Sequence, residues 1–466
     1  MALDLSRPRR VHLVGIGGAG MAAIAVVLHR MGHTVTGSDL KGGAIVERLR
    51  AEGITVVVGH DADNLGETEL VAISTAIPDH NPEVVAAVAR DLPVARRKDI
   101  LPAIAQHRRT IVVAGTHGKT TTSSMLAMAL VEAGVEPSFI IGGDVNEIGS
   151  GADWASGPWM VIEGDESDQT FLALGAEIAV ITNVELDHLE TYDNDPAKLH
   201  AAFVTFASNA QQAIYCADDP GAMAVAAQVP GLTYGLAEHA DYRISDLVAE
   251  RSSITFSVHH NGQQIVRVTL PTPGVHNARN AVGALVAALA AGADVDHVAS
   301  GLGRFGGVAR RFEFRGEVDG TVFVDDYAHL PTEVQTALAA AADGDWNRII
   351  CVFQPHRYSR TAALWQDFAG SFTNADITVI TEIYASGEAP RPGITGELIV
   401  DAIRQAAPDA DVRFMPRLDD VGAWLVEELG AGDLCLTLGA GDLTGLPDQI
   451  VAAMRSTDSH QGLGNE

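Results

Sequence analysis

The sequence has few cysteines, no long apolar run and a deficit of positive charge. Its three cysteines, Cys216, Cys351 and Cys435, are far apart and lie in apolar segments, which excludes a disulfide framework and a zinc-ligand spacing. No stretch reaches the ~18 uninterrupted apolar residues of a membrane-spanning helix. The basic residues near the N-terminus precede a glycine-broken strand and not a signal-peptide core. We therefore expect a cytoplasmic protein.

The deficit of positive charge argues against two classes of partner. The 466 residues include 31 Lys and Arg against 60 Asp and Glu, a formal net charge of -29. A surface this acidic repels nucleic acids and anionic membrane faces. With 47% hydrophobic and 20% charged residues, the chain is expected to fold nearly throughout. At ~150 residues per domain, its length suggests about three domains.

Periodicity divides the chain into three segments of α/β character. Short β-branched runs alternate with helical stretches over residues 1–107, which predicts a small doubly wound domain. A fresh strand at 110–115, a glycine-rich turn and a helix begin a second domain, at 108–313. The alternation resumes at 321–329 and predicts a third α/β domain, at 314–466.

The first glycine-rich turn carries Gly15, Gly17 and Gly20 between a strand and a helix, and Asp39 ends the next strand. Glycines at this spacing let backbone N–H groups approach a pyrophosphate at the helix N-terminus. The turn therefore predicts phosphate binding. It leaves open whether the ligand is NAD or another nucleotide diphosphate, and a βαβ turn without a ligand is the alternative.

A second turn, from Gly115 to Thr121, also lies between a strand and a helix. Its N–H groups, Lys119 and a threonine hydroxyl predict a site for a nucleoside triphosphate with Mg²⁺. The turn is shorter than the general P-loop, because Gly115 precedes Gly118 by three positions where that pattern has five. Two phosphate-binding turns in one chain imply two different phosphorylated ligands.

Polar clusters follow the next two strands of the second domain. They are Glu163-Gly-Asp165-Glu166-Ser-Asp168 and Asn183-Val-Glu-Leu-Asp187-His188. Side chains at the carboxyl ends of parallel strands collect at one sheet edge, and carboxylates there suit a divalent cation. A solvated acidic loop is the alternative interpretation.

Further candidates occur later in the chain. Asn277 and Asn280 lie one helical turn apart, although N-capping is an equal possibility for Asn277. The pair Arg310 and Arg311 suits a phosphate, with solvated linker arginines as the alternative. The third domain presents polar strand ends, which are Asp325-Asp326-Tyr327-Ala-His329 and Gln354-Pro-His356-Arg357-Tyr358-Ser-Arg360. Its two spaced arginines suggest a clamp for a small carboxylic acid.

These motifs resemble those of the Mur ligases in order and rough spacing. The matching stretches are GTHGKTTT, EGDESD, NVELDHLETY, PGVHNARNA, ARRFE, DDYAH followed by PTE, and FQPHRYSRT. The resemblance extends to about residue 450 and implies three α/β domains: a Rossmann-like domain for a UDP-sugar, a central P-loop ATPase-type domain, and a Rossmann-like C-terminal domain for ATP and an amino acid. It also implies cytoplasmic peptidoglycan synthesis, with roles in cell wall biogenesis, cell shape and cell division.

The resemblance implies a ligation without a redox step. L-alanine would be joined to the lactyl carboxylate of UDP-N-acetylmuramate through an acyl phosphate, with ATP giving ADP and phosphate. The alternative within the family is ligation of a recycled murein tripeptide to the same sugar nucleotide. The partners are then these small molecules, with no nucleic acid and no membrane, and the protein would be a monomer or homodimer.

The resemblance also implies a role for each matching residue. Those expected in catalysis are Lys119, Glu163, His188, Arg311 and Asp326. Those expected to bind ATP are Gly115, Thr116, His117, Gly118, Lys119, Thr120, Thr121, Asn277, Asn280, Arg311 and Asp326. Thr120 and Glu163 would bind one Mg²⁺, and His188 a second. Those expected near the other substrates are Gly15, Gly17, Gly18, Ala19, Gly20, Asp39, Ser74, Thr75, Tyr327, His329, His356, Arg357 and Arg360.

The sequence departs from the family at one position. Two adjacent histidines usually precede Pro-Thr-Glu, and here the second is Leu330. We therefore assign no catalytic role to that position. Two other classes compete: an NAD-dependent dehydrogenase, which rests on the first turn and Asp39 alone, and a nucleotide-binding regulator without activity. The dehydrogenase leaves the motifs of residues 110–190 unexplained, and the regulator predicts that Lys119 is dispensable.

Overall fold

The computed structural model describes residues 3–74, 76–145 and 148–461, and their strands form three sheets. The chain divides into two compact units: residues 1–247, 255–270 and 277–306, and residues 248–254, 271–276 and 307–466. Over the described ranges, no helix is long and apolar enough to cross a membrane.

The first sheet is parallel and has the order β3-β2-β1-β4-β5. Its strands are β1 (Arg10–Val14), β2 (Thr34–Asp39), β3 (Thr55–Val58), β4 (Leu70–Ile73) and β5 (Val94–Arg96). Its helices are α1 (Ala19–Arg30), α2 (Ala44–Ala51), α3 (Pro82–Ala89) and α4 (Arg97–Ala105). The winding reverses between β1 and β4, so the first glycine turn lies at the switch point where open α/β sheets bind ligands.

The second sheet has ten strands in the order β15-β14-β13-β12-β11-β10-β6-β9-β7-β8. They are β6 (Arg109–Ala114), β7 (Ser138–Val145), β8 (Ser150–Asp153), β9 (Trp159–Glu163), β10 (Ile178–Ile181), β11 (Gln212–Cys216), β12 (Leu232–Gly235), β13 (Tyr242–Ala249), β14 (Ile254–His260) and β15 (Gln263–Leu270). The helices are α5 (Lys119–Glu132), α6 (Pro196–Asn209), α7 (Pro220–Ala226), α8 (Val275–Ala290) and α9 (Val295–Gly303). The central strands β6, β9 and β10 are parallel and largely buried, which explains their β-branched composition.

The third sheet has the order β16-β17-β21-β18-β19-β20, with β16 antiparallel to β17 and the other pairs parallel. Its strands are β16 (Glu313–Val318), β17 (Thr321–Asp326), β18 (Ile349–Phe353), β19 (Ile377–Ile380), β20 (Asp411–Phe414) and β21 (Leu434–Leu438). The helices are α10 (Pro331–Ala342), α11 (Tyr358–Leu364), α12 (Glu397–Ala406), α13 (Leu418–Glu428) and α14 (Leu446–Gln461). This order places the carboxyl ends of β17, β21 and β18 side by side.

Helix α1 joins the first two sheets. Its residues from Met21 to Leu28 are all buried, so the helix has no polar face over this span. The helix packs beside β2 and also contacts β7 and β8 of the second sheet. An apolar surface around the whole helix is stable only when both sides are covered. The α1 sequence is therefore explained by its position between the two sheets.

A buried carboxylate supports the first glycine turn. Glu83 accepts hydrogen bonds from Ser38 Oγ and Asn64 Nδ2, each at 2.6 Å, and its side chain is fully buried. Burial opposes ionisation, but the nearby His12 ring and the hydrogen bonds from Ser38 and Asn64 outweigh it and lower the pKa of Glu83 to about 2. The carbonyl of Ser38 in turn accepts the N–H of Gly15 at 2.8 Å. Glu83 therefore fixes the strand end against which the turn rests.

Replacing Glu83 tests this support. Glu83→Ala should lower the free energy of unfolding by about 3 kcal/mol at neutral pH, because buried hydrogen-bond donors lose their acceptor. The folded pKa of about 2 lies below the ordinary 4.5. The stabilisation is therefore present above about pH 4.5 and is lost as the pH falls towards 2.

Urea unfolding of both proteins between pH 7 and pH 3 measures this difference. Glu67→Ala, at an exposed carboxylate in the same domain, is the control and should unfold like the wild type. The difference in unfolding free energy between wild type and Glu83→Ala should shrink as the pH falls. A difference that grows on acidification would contradict the stabilising role of the Glu83 carboxylate.

Candidate functional site

Adjacent parallel strands bring the predicted groups of the second domain to one sheet edge. Strand β6 lies between β9 and β10. Val113 of β6 pairs in register with Glu163 of β9, and Ala114 of β6 pairs with Ile181 of β10. The turn at 115–118 leaves β6 at this level. The acidic motif, the turn and the motif after β10 therefore lie side by side, as the sequence predicts.

The turn at 115–118 is held open by its backbone conformation and by neighbouring side chains. Gly115 and Gly118 have φ angles of 139° and 77°, a region that favours glycine. Asn183 Oδ1 accepts the N–H of His117 at 2.8 Å, and Asn183 Nδ2 donates to the His117 carbonyl at 3.0 Å. Gly118 has no side chain with which to cap α5, so the first N–H groups of that helix can bind an anion.

Lys119 is a buried cation at the start of α5. Its Nζ donates to the carbonyl of Gly115 at 2.5 Å and lies 2.9 Å from Glu166 Oε2. Burial opposes the charge, but the carboxylates of Glu166 and Glu163 outweigh it and raise the pKa of Lys119. Lys119 is therefore protonated at neutral pH and can neutralise phosphate charge.

Two of the three predicted metal ligands lie in contact. Thr120 Oγ1 donates to Glu163 Oε1 at 3.1 Å, and Glu163 Oε2 accepts the N–H of Gly142 at 2.8 Å. Hydroxyl and carboxylate oxygens are the donors that Mg²⁺ prefers, usually alongside phosphate oxygens and water. The donor set at the end of β9 therefore fits magnesium.

The third predicted metal ligand, His188, follows β10. It has a φ angle of 53°, and its Nε2 lies 3.3 Å from Asp187 Oδ2, which orients the ring. Nowhere in residues 3–74, 76–145 or 148–461 do three His, Cys, Asp or Glu side chains group as in an all-protein metal site. The binding of a second ion by His188 stays a prediction.

The compact unit that contains the turn at 115–118 also holds four further residues predicted to contact ATP: Thr116, Thr121, Asn277 and Asn280. Asn277 and Asn280 are buried on α8, and a Cβ at Gly118 would lie 2.6 Å from Asn280 Oδ1. Thr116 Oγ1 accepts the N–H of Glu185 at 2.8 Å. Thr121 is buried in the first turn of α5, one residue beyond the Thr120 that contacts Glu163. The structure therefore brings Asn280 to the turn, as the sequence predicts.

The first glycine turn is exposed where it begins α1. Gly15 has a φ angle of 77°, and Gly18, Ala19 and Gly20 are all exposed. Gly17 donates its N–H to Asp39 Oδ2 at 2.8 Å, and a Cβ on Gly17 would clash with the same oxygen. Asp39 thus fixes the turn, and its place near a substrate stays a prediction.

Ser74 lies beside the same turn, and Thr75 falls outside the described residues. A Cβ on Gly15 would be 3.1 Å from Ser74 Cβ, so Ser74 borders the turn directly. The strand order explains this contact, because β4 is the neighbour of β1.

The third sheet gathers a separate cluster at the ends of β17 and β21. Asp326 accepts the N–H groups of Phe312 and Ala328, each at 2.7 Å. Burial raises the pKa of Asp326 to about 6, although Arg311 and these two hydrogen bonds oppose the shift. The Arg311 guanidinium lies 5.1 Å from the Tyr327 ring centroid. The structure therefore brings Asp326, Arg311 and Tyr327 together, and their roles stay predictions.

The remaining predicted residues of the third domain also cluster. The rings of His329 and His356 lie 5.7 Å apart, and Arg360 Nη1 is 3.0 Å from His356 Nδ1. Burial, reinforced by His329 and Arg360, lowers the pKa of His356 to about 4, so the ring is neutral and can accept this hydrogen bond. Arg357 has a φ angle of 70°, which is unusual for a residue with a side chain and common at functional sites.

Leu330, the departure from the family pattern, is a buried residue at the start of α10. Its N–H donates to Glu333 Oε2 at 3.1 Å, and the N–H of His329 donates to the same oxygen at 2.9 Å. The Glu333 carboxylate therefore accepts the N–H groups at the start of the helix, and the apolar side chain of Leu330 fits its burial. This explains how the helix start tolerates leucine.

Sequence reasoning assigned no role to several residues that hold the site together. Glu166 pairs with Lys119, Asn183 braces the turn, and Gly142 contacts Glu163. Glu166 and Asn183 belong to motifs that the sequence singled out, so their position at strand ends was the available signal. Gly142 lies within β7, which no sequence pattern predicted.

One compact unit contains two strand-turn-helix glycine turns, one with a buried lysine and an adjacent carboxylate. This geometry is typical of α/β proteins that bind phosphorylated ligands. Three family models match the chain: Mur ligase family, catalytic domain, over residues 10–109; Mur ligase middle domain over 113–288; and Mur ligase, glutamate ligase domain over 310–441. The chain belongs to the Mur ligase family, which confirms the resemblance and the predicted α/β fold class.

Several relatives cover nearly the whole chain. It is 42% identical to UDP-N-acetylmuramate–L-alanine ligase of Agrobacterium fabrum, over 93% of this chain and 94% of the relative. The ligase of the same name from Halorhodospira halophila is also 42% identical, over 95% and 93%. Among solved structures, UDP-N-acetylmuramate-alanine ligase from Thermotoga maritima has a TM-score of 0.83 at 29% identity, covering 96% of this chain and 100% of that one.

The geometry of the second turn makes a specific prediction about glycine. Gly118→Ala combines an unfavourable φ of 77° with a Cβ 2.6 Å from Asn280 Oδ1. The turn must shift, and affinity for a nucleoside triphosphate should fall about tenfold or more. Calorimetric titration with MgATP measures the change.

Gly134→Ala, at the other end of α5, is the matched control. Gly134 has a φ of 70° with nothing within 4 Å of its Cβ position, so the variant carries similar backbone strain away from the turn. It should lose stability and keep its nucleotide affinity. Equal affinity losses in both variants would show that backbone strain in general, and not the shape of the turn, controls binding.

Proposed function

We propose that this chain catalyses the ATP-dependent ligation of L-alanine to UDP-N-acetylmuramate, giving ADP and phosphate. The observation that carries the proposal is the 42% identity to UDP-N-acetylmuramate–L-alanine ligases over 93% of the chain. The buried Lys119 at a glycine turn supports a triphosphate ligand in the same chain. The reaction belongs to peptidoglycan precursor synthesis, and its nucleotide substrates support a cytoplasmic location.

The chemistry has two balanced steps. A lactyl carboxylate oxygen attacks the γ-phosphorus of ATP, and the bond from that phosphorus to ADP breaks, which leaves an acyl phosphate. The amine of L-alanine then attacks the acyl carbon, phosphate departs, and the nitrogen loses a proton to give the amide. The first step joins two anions, so the site must supply positive charge at the γ-phosphate.

The second turn can supply that charge. Lys119 is positively charged at neutral pH, and the N–H groups at the start of α5 add the partial charge of a helix N-terminus. Thr120 and Glu163 would hold Mg²⁺, with His188 as ligand to a second ion. When bound, Mg²⁺ supplies further positive charge against the phosphates. Asn277 and Asn280 would contact the nucleotide beside the turn.

The clusters of the third sheet suit the remaining substrate groups. Arg357 and Arg360 are cations that can pair with the carboxylate of L-alanine. His356 and His329 have lowered pKa values because they are buried, so they remain neutral near the arginines. Asp326, with Arg311, would contact ATP. Tyr327 would lie near the amino acid.

A second candidate is ligation of a murein peptide to the same sugar nucleotide. The chain matches the murein peptide ligase of Psychrobacter arcticus with a TM-score of 0.70 at 25% identity, over 96% of this chain and 98% of that one. Phosphate release should be measured with UDP-N-acetylmuramate and ATP, comparing L-alanine with L-Ala-D-Glu-diamino acid. Preference for L-alanine is expected. Preference for the tripeptide would favour the second candidate, and no release with either would contradict both.

Lys119→Ala should lower kcat by about 10²- to 10³-fold, because one charged donor to the transferred phosphoryl group is lost. Lys119→Gln is a second variant that keeps a polar partner for Glu166 in case the alanine variant folds poorly. Steady-state phosphate release measures both, with thermal unfolding as a check on folding.

Lys198→Ala is the matched control. Lys198 is an exposed lysine of α6 that pairs with Asp193 at 2.6 Å. Its removal should leave kcat unchanged. Full activity of a folded Lys119 variant would support a regulator in place of an enzyme.

A further inference from the structure

Arg97 joins the two phosphate-binding regions of the first compact unit. It is the first residue of α4 and directly follows β5, so it belongs to the first sheet. Its Nη1 donates to Asp165 Oδ2 at 3.1 Å, and Asp165 lies two positions after the end of β9 in the second sheet. Both side chains are about two-thirds buried, with 27% and 30% exposed. Arg97 therefore reaches from one glycine-turn sheet to the acidic motif of the other.

The same guanidinium faces the first glycine turn. A Cβ built on Gly20 would lie 3.8 Å from Arg97 Nε, so Gly20 presents its open face to the arginine. Gly20 is exposed in the first turn of α1, where the preceding Gly18 has no side chain with which to cap the helix. The bond to Asp165 uses Nη1, whereas Nε is the atom turned towards Gly20. The Asp165 carboxylate thus orients one nitrogen of the guanidinium, Nη1. Another nitrogen, Nε, faces the N-terminal end of α1, which can bind an anion.

Stability alone explains this arrangement poorly. A partly exposed ion pair contributes little to folding, because solvent screens it and the side chains lose freedom. Two other ion pairs, Arg30 with Asp153 and Arg48 with Asp144, also connect the first two domains. Arg97 differs from them because it faces a glycine turn. The adjacent Arg96 pairs instead with Asp79 at 3.0 Å, and its side chain is 42% exposed. A place next to the start of α4 is therefore not enough to bring an arginine to the first glycine turn.

We propose that Arg97 binds the diphosphate of the sugar nucleotide, with Asp165 as the residue that positions its guanidinium. The inference rests on the proposed function for the identity of the ligand. Arginine suits this role because its planar guanidinium group can donate to a carboxylate from one edge and to a phosphate oxygen from another. The pair also links the sugar-nucleotide turn to the motif that contains Glu163 and the Lys119 partner Glu166.

Calorimetric titration of the full chain with UDP-N-acetylmuramate and, separately, with UDP tests the contact. Arg97→Ala should weaken binding of both ligands by the same factor, about 10- to 100-fold, as expected for a hydrogen bond to a charged group. Arg97→Lys should lie between wild type and alanine. Arg96→Ala is the matched control and should bind both ligands within twofold of wild type. MgATP affinity should stay within about threefold in all variants.

The role of Asp165 has its own measurement. Asp165→Asn should weaken UDP-sugar binding less than Arg97→Ala, because the guanidinium remains and only its orientation is lost. The double variant should bind like Arg97→Ala alone, since the two residues act through one contact. Additive losses in the double variant would overturn the positioning role of Asp165.

The outcomes separate this inference from the proposed function. Binding of UDP within twofold of wild type by Arg97→Ala overturns the diphosphate contact, and so does an equal loss of MgATP affinity, which would indicate a general structural effect. If the wild type binds UDP but lacks ligase activity, the proposed function fails while the Arg97 variants still test the contact. Thermal unfolding of Arg97→Ala and Arg97→Lys identifies any variant that has lost its fold.

Discussion

The site of the second domain depends on the register of three parallel strands. Because Val113 is level with Glu163 and Ala114 with Ile181, strands β9, β6 and β10 end together. A shift of one residue would turn each strand's side chains to the opposite face. The hydrogen bond between Thr120 and Glu163, and the bracing of His117 by Asn183, both require this level ending. The buried β-branched core thus determines where the polar groups meet.

Charge around Lys119 resolves an apparent conflict in the composition. A net charge of -29 opposes broad binding of polyanions, yet the chain belongs to a family whose relatives act on a sugar nucleotide. The carboxylates of Glu166 and Glu163 keep Lys119 charged despite its burial, so acidic residues maintain the cation that a phosphate needs. The acidity of the surface and the affinity of a cleft for small anions are therefore separate properties.

Much of the fold could be predicted because its signals are local. The β-branched runs before Gly15 and Gly115 correspond to β1 and β6, and WMVIE corresponds to β9 without a shift. Strand β5 has three residues and β7 contains two adjacent glycines, so neither shows a strong strand pattern. The ion pair of Lys119 with Glu166 and the contact of Arg97 with Asp165 join distant parts of the chain. Spacing within a motif carries no information about such pairs.

The position of α1 explains why the first glycine turn and the acidic motif of the second sheet belong to one compact unit. One end of this helix carries the first glycine turn, and its sides pack against both the first sheet and strands β7 and β8. Strand β7 also supplies the N–H of Gly142 that holds Glu163. The helix that begins at the first glycine turn is therefore packed against the strand that holds Glu163. The ion pair of Arg97 with Asp165 adds a charged connection between the same two sheets.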